Sequence, residues 1–92
     1  MIVRILGEGQ LRIDDAAVAE LQTLDSALEA AVERNDQDAL NAALGALLEK
    51  ARSAGSPLPP DSLEPSDVII PHEGATLDEV RKLLTDEGLI PG

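Results

Sequence analysis

A chain of 92 residues with 18 acidic side chains against 7 basic ones carries a formal charge of −11, so nucleic acid and anionic lipid, which would repel it, are excluded as direct partners. Cysteine is absent, which removes disulfides and thiolate metal sites. Phe, Tyr and Trp are absent too, so a single domain of this size must close a modest core with Leu, Ile, Val and Ala.

The chain opens with MIVRILGEGQLRIDD. Val3 and Ile5 share one face of an extended segment, and Leu11 and Ile13 share one face of the next. This period of two predicts a β-hairpin over 2–13, turned at Gly7-Glu8-Gly9 by glycines free to take positive φ. Arg4 and the same Gly-Glu-Gly interrupt the early apolar run, so no leader is expected ahead of it. No apolar run reaches the roughly 20 residues that span a bilayer. A cytoplasmic location without direct membrane insertion is expected.

From Ala16 the period becomes helical. Val18, Leu21, Leu24, Leu28 and Val32 form a stripe, with Asp14 or Asp15 as the N-cap. Arg34-Asn35-Asp36 breaks this helix. A second helix follows with Leu40, Leu44, Leu47, Leu48 and Ala51 on one face, stopped by Gly55 in the C′ position. So short a break predicts an antiparallel αα-hairpin over 16–54. Self-association of this pair into a four-helix bundle, a homodimer, is a further expectation.

Residues 56–66 read as a proline-rich linker, with Leu58 and Leu63 available to pin it. The remainder, 67–92, reads as strand, helix and tail. Val68-Ile69-Ile70 is wholly apolar and predicts a strand covered on both faces, joining the hairpin in a small sheet. Thr76-Leu77-Asp78-Glu79 has the capping-box spacing. Gly88 is placed just past that helix, with Leu89 folding back on it. The fold class is α+β in a single domain.

Few residues suggest chemistry. Gly7-x-Gly9 lacks a third glycine and is followed by strand, which excludes a dinucleotide loop. His72, with Glu73 and Asp67 near it in sequence, is short of the three or four ligands a transition metal gathers. The serines lack a nucleophile-elbow setting, and the pairs Asp36/Asp38 and Asp86/Glu87 fall where helix ends belong. No catalytic, cofactor or metal residue is therefore assigned, and no enzyme is expected. The acidic run is harder to set aside. Residues 14–38 hold eight acids against Arg34 alone, and Glu29 and Glu33 repel each other at i,i+4. Asp25, Glu29 and Glu33 are the candidate partner-binding residues, for a basic partner surface.

The opening MIVRILGEGQLRIDD, the paired acidic Leu/Ala-rich helices, Pro57-Leu58-Pro59 and the closing Asp86-Glu87-Gly88-Leu89-Ile90-Pro91 together resemble the phage-shock-protein-A-associated family, PspAA, of actinobacteria and related groups. The resemblance runs the full length. It implies association with a PspA/IM30-type protein, a long helical coiled coil lining stressed cytoplasmic membranes. It also implies an envelope-stress role, recruitment to the inner membrane face through that partner, and no catalysis. It brings no binding residues. Two rival readings are an antitoxin-like or anti-regulator protein masking a basic surface, and a small metal protein or enzyme using His72.

Overall fold

Residues 1–85 and 88–90 are described by the structure, a computed structural model. Asp86 and Glu87, the second carboxylate pair noted above, lie outside the described residues, as do Pro91 and Gly92. The strands are β1 (Ile2–Ile5), β2 (Gly9–Ile13), β3 (Gly55–Pro57) and β4 (Val68–Ile70). The helices are α1 (Asp15–Glu33), α2 (Gln37–Ala54) and α3 (Leu77–Leu83). Together they make the α+β fold expected.

The alternation of apolar and polar residues sets the sheet. β1 lies antiparallel to β2 with Val3 opposite Leu11, and parallel to β4 with Val3 opposite Val68. β3 adds to the far side of β2, giving the order β3-β2-β1-β4. Val3, Ile5, Ile13, Val68 and Ile70 turn inward and are buried. Leu21, Leu28, Leu40, Leu44, Leu47 and Leu48 of the helices close the core with them. Each fully buried aliphatic side chain contributes roughly 1.5–3 kcal/mol, so many Leu and Ile replace the missing aromatics. The stripes that suggested a four-helix bundle are thus occupied largely within one chain.

The break between α1 and α2 is made by Asn35, at φ 55°, and by Asp36, whose carboxylate accepts the Ala39 N–H at 3.0 Å. Gly7 and Gly9 take positive φ in the hairpin turn, as expected. The capping box of α3 is complete, Thr76 and Glu79 each accepting the other's backbone N–H. Asp14 precedes α1 in extended conformation, but its side chain caps nothing.

Four expectations are corrected. Ser56 and Pro57 are strand, not linker: β3 pairs with β2, and its proline sits at the sheet edge, where no ladder donor is required. Ile69 faces outward at 42% exposure, because a three-residue strand with helices on one side can bury only alternate residues. Leu63 is 97% exposed and pins nothing. Polar contacts hold this stretch across the outer sheet face: Gln10 donates to the Glu64 carbonyl and the Ser66 hydroxyl, and Arg12 pairs with Glu64 at 2.7 Å. Finally, α3 ends at Leu83, and Gly88 sits further on, bridged to Thr85.

Gly55 also differs in its reason. Its φ of −97° and ψ of 157° are extended, not left-handed, so it is no C′ glycine. A Cβ there would meet the Ala51 carbonyl at 2.8 Å and Leu11 Cβ at 2.9 Å. Glycine lets the chain leave α2 directly against β2. Gly55→Ala should lower stability by about 1–3 kcal/mol through overpacking, read from the melting temperature. An unchanged melting temperature would contradict this close approach.

Candidate functional site

The three acidic candidates of α1 occupy one helical row at i, i+4 and i+8, yet they meet different surroundings. Asp25 is 2% exposed. Its two carboxylate oxygens accept the backbone N–H groups of Leu89, at 3.2 Å, and Ile90, at 3.0 Å. Asp25 therefore presents no side chain at the surface; it fastens the tail onto α1. Burial raises its pKa, and the two amide donors oppose that rise. Glu29, one turn on, is half-buried. Desolvation raises its pKa, with the charges of Asp25 and Glu33 adding to the rise. Glu33, at the helix end, is exposed.

The signal for Asp25 was present in the sequence. Leu21, Asp25, Leu28 and Val32 are spaced four, three and four apart, the spacing of a buried stripe, and these are the residues α1 buries together with Ala31. Leu24, assigned to the stripe on hydrophobicity, is only half-buried. Gly88 completes the arrangement. Its φ is 85°, and a Cβ would collide with the Glu29 carboxylate and lie 2.5 Å from Asp25 Oδ2.

The rest of the acidic run remains one-signed. Among the described residues, Glu20 is the only acid of 14–38 that meets a cation, Lys50 at 2.7 Å. Arg34, the single cation of that stretch, is exposed and without an ion pair among the described residues. Asp14, Asp15, Glu33, Asp36 and Asp38 all face solvent.

His72 sits in the turn after β4. Its Nδ1 lies 2.9 Å from the Glu73 carbonyl and its Nε2 lies 3.1 Å from Glu79 Oε2. Asp67 is engaged elsewhere, accepting the Ile2 N–H at 2.8 Å. No group of three or more His, Asp or Glu side chains able to hold a metal occurs among the described residues. The Glu73 carbonyl first, then Glu79, raises the His72 pKa above its ordinary 6.5. A raised folded-state value means this stabilisation is complete below 6.5 and lost as pH rises through the folded value. The melting temperature of the wild type should therefore exceed that of His72→Gln by more on the acid side of this window than on the alkaline side. A constant difference across it would refute the linkage.

The model of the PspA-Associated protein family, PspAA, matches residues 1–92. The chain belongs to the PspAA family. No curated protein and no solved structure matches it. For a PspAA chain, the name of the family points to association with PspA. Among the described residues no helix is long and apolar enough to cross a membrane. With Asp25 buried, exposed Glu33 and half-buried Glu29 are the two candidates of α1 that remain at the surface.

Proposed function

We propose that this chain is a non-enzymatic acidic adaptor of the phage-shock response that docks on a basic stretch of a PspA-type helical protein. One observation carries the reading: with Glu20 paired and Asp25 buried, the other six acids of residues 14–38 reach the surface and meet no cation among the described residues, in a chain of net charge −11. Solvated helix faces ordinarily mix signs, because opposite charges at i,i+4 stabilise and like charges repel. A basic partner would relieve that repulsion and steer encounter. The description of the family, PspA-Associated protein, supports a PspA-type partner. Docking of this kind would hold an otherwise soluble adaptor at the inner membrane face through its partner.

The test is co-expression with the PspA-type protein of the same cell, followed by capture of the complex. Wild type should be captured and Glu29→Lys/Glu33→Lys should not. Equal capture of a folded double variant would defeat the assignment of this face. Asp25 is left intact in this test, since reversing a buried charge would unfold the tail whatever the partner does.

A further inference from the structure

A second surface feature has the opposite sign. At the turn end of the β1–β2 hairpin, the last turn of α2 and the proline segment 57–60 enclose a cleft of about 490 Å³, within the size range of ligand pockets. Leu58 and the prolines of that segment give it apolar walls. Arg4, Arg52 and Glu8 supply its charges, two positive against one negative, so the lining is net positive by one on a strongly acidic chain.

The two arginines are not equivalent. Arg52 is spent: its Nε donates to Glu8 Oε1 at 2.9 Å, its Nη2 pairs with Glu8 Oε2, and Glu73 approaches it at 3.7 Å. Arg4 is exposed and meets no carboxylate among the described residues. Its sheet neighbours are Gln10 and Ile69, neither of them anionic. A single open guanidinium suits a planar monoanion, which it can grip through two parallel N–H donors. A phosphate dianion would call for a second free cation, and Arg52 is already answered. Apolar walls beside that fork suit an aliphatic body.

We propose that this cleft binds a carboxylate with a short aliphatic body, gripped by Arg4 and laid against Leu58 and its prolines. Two sources share this chemistry: a free aliphatic acid, and a glutamate flanked by leucines on a protein partner. Proton–nitrogen NMR titration of the full chain distinguishes them, with hexanoate in one arm and an acetylated, amidated Leu-Glu-Leu tripeptide in the other. Either or both should give saturable shifts at the Gly9, Gln10, Leu11 and Leu58 amides, and hexylamine should give none. Arg4→Gln should weaken binding at least about tenfold, and Arg4→Lys, which keeps the charge without the fork, should fall between. Arg34→Gln, which removes an exposed cation of the α1–α2 turn outside the cleft, should leave affinity unchanged. The proposal is overturned if neither acid saturates, if hexylamine binds equally, or if Arg4→Gln binds as wild type does while retaining a wild-type spectrum elsewhere.

Discussion

Asp25→Ala should lower stability by about 2–4 kcal/mol, a fall in melting temperature on the order of 10–25 °C for a domain of this size. The change strips the acceptors from two buried donors, the amides of Leu89 and Ile90, and neither finds another. Exchange of those two amides with solvent deuterium should quicken even if the tail alone comes loose while the helices and sheet survive. Asp25→Asn, which keeps one acceptor oxygen but turns an NH₂ toward a donor, should fall between. Burial raises the Asp25 pKa, so between its ordinary value of 3.8 and the folded value stability falls as pH rises. Mild acid therefore does not release the tail through this group, unlike the usual surface carboxylate. Unchanged melting together with unchanged exchange at Leu89 and Ile90 would contradict the latch.

Glu29→Lys/Glu33→Lys should cost at least about tenfold in affinity for the PspA-type partner, the scale of losing one close charge pair and installing repulsion in its place. Stability should move little. Glu33 is exposed, and the double reversal replaces one like-charge pair at i,i+4 with another, so that repulsion stays at a few tenths of a kcal/mol. Desolvation of Glu29, whose carboxylate lies close to Gly88, makes that position the more sensitive of the two. A single Glu33→Lys should therefore carry most of the binding loss with the smaller structural change. Loss of affinity in a variant that also melts early would report on the fold instead, which is why the two measurements belong together.

Much of this was legible from the residues. The hairpin, the αα-hairpin, the capping box at Thr76 and Glu79, and β4 as a strand follow from short-range pattern: a period of two, a period of 3.6, an apolar run, turn glycines and caps. What escaped were contacts between residues distant in sequence. β3 could not be seen, because Gly55-Ser56-Pro57 has no strand composition; its pairing with β2 is imposed by the close approach at Gly55. The Gly55 and Gly88 roles depend on what stands opposite them, Leu11 and Ala51 in one case, Asp25 and Glu29 in the other. Asp25 is the most instructive. Charge placed it on the solvent face, while its spacing with Leu21, Leu28 and Val32 placed it inside, and the amides of a tail more than sixty residues away decided for the spacing. The candidate docking face was legible as composition, but the part of it that is free to dock was not.

Charge-driven docking has a signature that packing lacks, and ionic strength exposes it. From about 0.01 M to about 0.15 M salt the Debye length shrinks from roughly 30 Å to roughly 8 Å. Binding of the purified chain to the purified PspA-type protein, followed by calorimetry across that range, tests the docking most directly. Affinity should fall steeply with salt for wild type, and Glu29→Lys/Glu33→Lys should bind weakly throughout with a shallow slope. An affinity that ignores both salt and the double reversal would show that the acidic face is not what the partner holds.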